Sequence, residues 1–92
     1  MSTISLPEQM KHADAQACLA LVTTALKGAS ERALCVVDAS AVARFDSSAI
    51  AVLLEARRQA QAGGQQLQVQ NWPPALRRLA QVYGVAELFE HA

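Results

Sequence analysis

A chain of 92 residues, 52% of them hydrophobic, can form one compact core but is too short for two, and we expect a single domain over residues 1–92. Eight basic residues balance eight acidic ones, which excludes a net field that would draw the chain onto nucleic acid or an anionic membrane. The start lacks a signal-peptide pattern and no apolar run reaches the length of a membrane span, so we expect a cytoplasmic protein without direct membrane insertion.

The cysteines and histidines are too few and too scattered for a metal site. Cys18 and Cys35 lie within apolar runs, where a free thiol behaves as a small hydrophobe. His12 and His91 stand near opposite ends of the chain. We expect no metal and no cofactor, and we expect both cysteines to be reduced and buried.

The first third of the chain predicts a short strand over 3–6 and a helix over 15–27. Asp14 is the expected N-cap and Gly28 the expected stop of that helix. The core-facing residues, which recur at helical spacing, are Leu19, Val22, Ala25 and Leu26. The side chains expected in solvent are Thr23 and Lys27.

The middle of the chain predicts a buried strand followed by the clearest helix. The run 33–37 is continuously apolar and predicts a central strand covered on both faces, which Asp38 ends. The segment 47–62 is rich in Ala, Leu, Arg and Gln, and it predicts a helix that Gly63 and Gly64 terminate.

The last third predicts an outer strand, a helix and a closing segment. Residues 66–70 alternate polar with apolar, and the prolines at 73 and 74 suit the opening of a helix that Gly84 ends. The side chains expected to face the core are Leu76, Leu79, Ala80, Tyr83, Val85, Leu88 and Phe89. Trp72 fits either an interface anchor or a cover for the edge of the sheet. Together these elements predict an α/β domain with right-handed crossovers and a mostly parallel sheet.

Asp46, Ser47 and Ser48 precede the helix over 47–62 and carry the main functional signal. Asp46 or Ser47 can accept a hydrogen bond from the first turn as an ordinary cap. Ser48 is not needed for that cap, and two hydroxyls at the positive end of a helix suit an anion or phosphate. Nucleophilic catalysis has little support, because the serines lack a Gly-x-Ser-x-Gly elbow and an evident His base.

The segment over 46–58, which follows an apolar strand ending in Asp, resembles the signature of STAS domains. Its sequence is Asp-Ser-Ser-Ala-Ile-Ala-Val-Leu-Leu-Glu-Ala-Arg-Arg. This family includes anti-sigma factor antagonists and MlaB proteins. The resemblance extends over about 33–90, through Gly-Gly-Gln-Gln-Leu-Gln-Val at 63–69 and the helix over 74–85. It implies a non-catalytic STAS-like domain, and Ala49 stands where the family usually has Gly.

The resemblance also implies a partner and a binding surface. The MlaB-like branch implies an accessory subunit that binds the cytoplasmic ATPase of an ABC-type phospholipid transporter, maintains outer-membrane lipid asymmetry and is recruited to the inner membrane through that partner. The implied partner-binding residues are Asp46, Ser47, Ser48, Ala51 and Glu55. The antagonist branch instead implies an anti-sigma factor kinase as partner, with phosphorylation at Ser48 by position or at Ser47. A small anion-binding or hydrolase domain is a third reading.

Overall fold

The computed structural model describes residues 2–90; Met1, His91 and Ala92 lie outside the described residues. The strands are β1 (Ser2–Ser5), β2 (Gln9–Met10), β3 (Leu34–Asp38), β4 (Arg44–Phe45) and β5 (Gln66–Gln70). The α-helices are α1 (Ala15–Lys27), α2 (Ser47–Ala62) and α3 (Pro74–Val82), and 3-10 turns cover His12–Asp14 and Ala86–Phe89. The predicted α/β class, with a small parallel sheet and helices packed against it, is confirmed.

The main sheet has the order β1-β3-β5, and both neighbouring pairs are parallel. Two right-handed crossovers that step in the same direction place α1 and α2 on the same face of the sheet. The register aligns Ile4, Val37 and Val69 on that face, and all three are buried. The opposite face carries Val36 between Thr3 and Gln68 in the register, and only Val36 of these three is fully buried.

β3 is the central strand of this sheet, as predicted, and its middle residues Cys35, Val36 and Val37 are buried on both faces. Leu34 and Asp38, on the opposite face, remain half-buried, and Val36 is not part of the apolar core cluster although it is only 4% exposed. The ends of the strand are less covered on the opposite face than a continuous apolar run predicts, because its period does not reveal how many layers pack on it.

The N-terminal helix differs from expectation at its cap and at one side chain. Asp14 makes no side-chain cap for α1; its carboxylate instead accepts from the Lys11 N–H (3.1 Å) and closes the preceding 3-10 turn. Thr23 is half-buried rather than exposed, because its hydroxyl bonds to Gln59 Oε1 of α2 at 2.8 Å. The predicted burial of Val22 and Leu26 is confirmed, as is that of the free cysteines Cys18 and Cys35.

The C-terminal third packs as predicted except at two side chains. Leu76, Ala80 and Phe89 are fully buried, but Tyr83 is 55% exposed and Leu88 is 39% exposed. Both expectations of burial are wrong: Tyr83 lies just past the end of α3 at Val82, and Leu88 lies in the 3-10 turn that follows Gly84 (φ 72°). Trp72 packs edge-on against Phe89, with ring centroids 6.0 Å apart, which favours its reading as an edge cover.

Candidate docking surface at the start of helix α2

Asp46 is the N-cap of α2 and uses both oxygens of its carboxylate. Oδ1 accepts from the Ser48 N–H at 2.9 Å, which satisfies one of the donors that a helix start leaves unpaired. Oδ2 accepts from the His12 N–H at 3.0 Å, across 34 residues of chain. These two backbone donors, His12 first, hold the pKa of the Asp46 carboxyl below its usual value. Ser47 is therefore the first residue of the helix and not its cap.

The loop before Asp46 is held by the N-terminal segment through backbone bonds. The Glu8 carbonyl accepts from the N–H groups of Ala43 (2.8 Å) and Arg44 (3.0 Å). Just beyond, β2 and β4 pair in parallel, with Gln9 opposite Arg44. The segment over 7–13, which carries no clear pattern in the sequence, thus fixes the loop that presents the two serines.

The two hydroxyl-bearing residues face different grooves. Ser48 is half-buried and lines a groove of about 260 Å³ between α1 and α2, whose other walls include His12 and Leu19. Ser47 is exposed and lines a groove of about 380 Å³ on the other flank of α2, with Leu54 and Tyr83. Adjacent positions on a helix point about 100° apart, which is why the serines separate.

Ala51 belongs to both grooves and is exposed on the ridge between them. Glu55 stands one turn further along the Ser48 side and is half-buried. Its carboxylate accepts from the Arg58 guanidinium (2.6 Å) and from Gln59 Nε2 (3.2 Å), and the Arg58 bond is the main reason that its pKa is lowered. Of the five predicted site residues, the structure brings Asp46, Ser47, Ser48 and Ala51 together, and it engages Glu55 in an intrahelical network.

The candidate surface is small. The exposed side chains on its ridge carry no charge, and apolar residues form the floors of the two grooves beside it. Ala49, where STAS domains usually carry glycine, is fully buried beneath the first turn, so its methyl group packs in the core and leaves the ridge open. Within residues 2–90, no cluster of three His, Cys, Asp or Glu side chains could hold a metal ion. No helix in this part of the chain has the length and apolarity to cross a membrane.

Sequence reasoning missed two residues of this surface. Its helical spacing predicts Tyr83 in the core, although a Gly one residue later signals that the helix ends there. His12 lies 34 residues from Asp46, and the bonds of Glu8 to the loop before Asp46 and the pairing of β2 with β4 bring the two together. The Tyr83 signal was available in the sequence, whereas the His12 contact is a product of the fold.

The structure thus combines a small parallel α/β fold with a helix start that Asp46 caps, where the exposed Ser47 and the half-buried Ser48 lie between two grooves. The family model described as "Mlab, STAS domain" matches residues 1–90, and the chain belongs to this family. STAS domains are generally non-catalytic regulatory or accessory domains that mediate protein–protein interactions. No curated protein matches the chain.

Solved structures confirm the fold. A STAS domain protein from Planctomyces limnophilus, described as an anti-sigma-factor antagonist, superposes with a TM-score of 0.80 at 19% identity, over 95% of this chain and 77% of that one. Unphosphorylated SpoIIAA, an anti-sigma factor antagonist, gives 0.72 at 21% identity over 98% and 77%. Phosphorylated SpoIIAA of Bacillus, described as a cell fate determinant, gives 0.65 at 23% identity over 98% and 80%.

Proposed function

We propose that this chain is a non-catalytic accessory subunit that binds the cytoplasmic ATPase of an ABC-type phospholipid transporter, as in MlaB-like maintenance of outer-membrane lipid asymmetry. The docking surface is the start of α2, formed by Asp46, Ser47, Ser48 and Ala51, with Glu55 at its margin. The proposal places the chain in the cytoplasm and brings it to the inner membrane through its partner. Binding biases the ATPase toward its competent state.

The observation that carries this proposal is the exposed ridge of α2 between two apolar-floored grooves. Ser47 and Ala51 are exposed, while Leu54 and Val52 line the groove floors beside them. Polar rims around apolar contacts are typical of protein interfaces, and small ridge residues let a partner approach the helix closely. Membership of the MlaB-type branch of the family supports a transporter ATPase as the partner.

One observation favours an alternative, an anti-sigma factor antagonist controlled by an anti-sigma factor kinase. Among its structural neighbours is SpoIIAA in unphosphorylated and phosphorylated forms. In this alternative the kinase phosphorylates Ser48. The phosphate then places a charge of about −2 two residues along the chain from Asp46 and its carboxylate. Repulsion and desolvation would expel the partner.

The test measures the affinity of the purified chain for the transporter ATPase and for an anti-sigma factor kinase encoded in the same genome, by calorimetry. Ser47→Asp adds a carboxylate that must lose its water against the partner, so we expect ATPase binding to weaken by roughly 2 kcal/mol, more than tenfold. Ser30→Asp is the matched control, because Ser30 is exposed and lines neither groove. It should bind like wild type.

Ser47→Asp should also melt like wild type. The cap is Asp46, and a carboxylate in the first turn interacts favourably with the helix dipole. Unchanged ATPase affinity of Ser47→Asp would remove the docking role from this helix start. If the wild-type chain binds the kinase instead, and Ser48→Asp alone releases it, the antagonist reading replaces the transporter reading.

A further inference from the structure

The N-terminal turn over 12–14 lies beside the proposed docking surface and is tied to it by one side chain. Asp46 Oδ1 caps α2 through Ser48, and Asp46 Oδ2 holds the turn through the His12 N–H. A single acceptor oxygen would suffice for the cap. The second bond therefore does something that capping does not require.

The hydrogen bond between the His12 N–H and Asp46 Oδ2 helps to form one of the two grooves. The groove beside Ser48 has His12 and Gln16 on its polar rim and Leu19, Ala51 and Val52 among its apolar walls. His12 is exposed and belongs to a turn of only three residues. The turn runs directly into α1, which packs against α2, and the short strand β2 and the Asp46 carboxylate hold its other end.

We propose that the turn over 12–14 forms the second half of the docking surface, with His12 contacting the partner, and that Asp46 is a positioning residue that holds the turn in place. The proposal rests on the proposed function, and its occupant is the same protein partner. The groove is continuous with the ridge because Ala51, which is exposed on the ridge, also lines the groove. A polar rim over an apolar floor suits a partner's side chain that is apolar along its length and polar at its tip.

Asp46→Asn separates the two tasks of this carboxylate. Asparagine has one acceptor oxygen, and the local bond to Ser48 needs far less chain ordering than the bond to His12 across 34 residues. The variant should therefore keep the cap and release the turn. Asp38→Asn is the matched control, because Asp38 also accepts two hydrogen bonds, from Ser40 and Asn71, and lines neither groove.

The first arm needs no partner. Amide hydrogen exchange, followed by NMR in Asp46→Asn, should be at least tenfold faster at His12 and within about twofold of wild type at Ser48. Asp38→Asn should leave both amides unchanged. An equal rate at His12 in Asp46→Asn and wild type would overturn the positioning role.

The second arm measures binding to the transporter ATPase in a double-mutant cycle. Asp46→Asn and His12→Ala should each weaken binding about tenfold, and the double variant should be no weaker than the weaker single variant, because both changes remove the same contact. Asp46→Asn combined with Tyr83→Ala should instead multiply the two losses, since Tyr83 lines the other groove.

The outcomes distinguish the two proposals. If wild type binds the ATPase but the Asp46 and His12 effects multiply, Asp46 does not act through the turn, and this inference fails while the proposed function stands. If wild type does not bind the ATPase at all, both the proposed function and the docking role of His12 fail. The amide hydrogen exchange experiment still decides whether Asp46 positions the turn.

Discussion

Replacing Gln65 by glutamate should destabilise the fold strongly near neutral pH and less in mild acid. Gln65 is a buried polar side chain, 8% exposed, that follows the turn at 63–64. Its Nε2 donates to the carbonyls of Leu26 (2.9 Å), Ala29 (3.2 Å) and Ser30 (3.3 Å) where α1 ends. The amide thus ties the end of α1 to the start of β5.

The expected loss of stability depends on whether each carbonyl keeps another hydrogen-bond donor when the Gln65 amide is replaced. Leu26 O and Ser30 O also accept from the N–H groups of Ala29 and Ala33, whereas Ala29 O has no other backbone or side-chain donor within residues 2–90. Gln65→Met, of similar size, should therefore cost about 1–2 kcal/mol. Gln65→Glu places an unpaired buried carboxylate against carbonyl oxygens and should cost about 3 kcal/mol or more.

The sign of the pH dependence distinguishes the two variants. The carbonyls and the burial raise the pKa of the new carboxyl in the folded state, so its penalty is complete above that pKa and declines as the pH falls toward the unfolded value. Thermal melts at pH 8 and pH 5 measure this, with about 4–8 °C of Tm per kcal/mol. A Gln65→Glu deficit that is independent of pH, or no larger than that of Gln65→Met, would refute the reasoning.

Three further predictions concern the core, the thiols and acid. Leu53→Asp should prevent folding, since Leu53 is fully buried and an unpaired carboxylate there costs several kcal/mol; a cooperative melt would contradict this. Cys18 and Cys35 should react slowly with thiol reagents in the native protein, because burial raises the pKa of both thiols; rapid labelling would count against their burial. Hydrogen bonds lower the pKa values of Asp38 and Asp46, so stability should fall as the pH drops below about 4 and the unfolded chain takes up protons first. Asn at either position should make that loss less steep in acid melts.

The sequence predicts the elements well where local signals are strong. Gly63 and Gly64 end α2, the alternation over 66–70 gives β5, and the apolar run gives β3. It fails where a contact depends on distant residues. Thr23 reads as exposed because its partner Gln59 lies 36 residues away, and Asp14 reads as a cap although its carboxylate closes the preceding turn.

The candidate site divides in the same way. The chemistry of Asp46, Ser47 and Ser48 at a helix start can be read from local sequence, because capping depends on neighbours. The walls of the two grooves cannot, since they come from the N-terminal turn, from α1 and from the residues after α3. Tyr83 shows the limit of periodicity, because the helical spacing predicts its burial although α3 ends one residue earlier, at Val82.

The position of α2 explains why stability and docking should be separable in this domain. α2 packs against α1 and α3, so its exposed ridge lies between two grooves. Its 16 residues span about 24 Å. The docking residues lie at its start, and the network of Gln65 with the end of α1 lies beyond its other end.

Effects at sites farther apart than about 10 Å usually add. Gln65→Met should therefore lower Tm in wild type and in Ser47→Asp equally, and it should leave partner affinity unchanged below the melting transition. A Gln65→Met variant that is folded at the assay temperature and yet binds the ATPase more weakly would mean that the two ends of α2 are coupled.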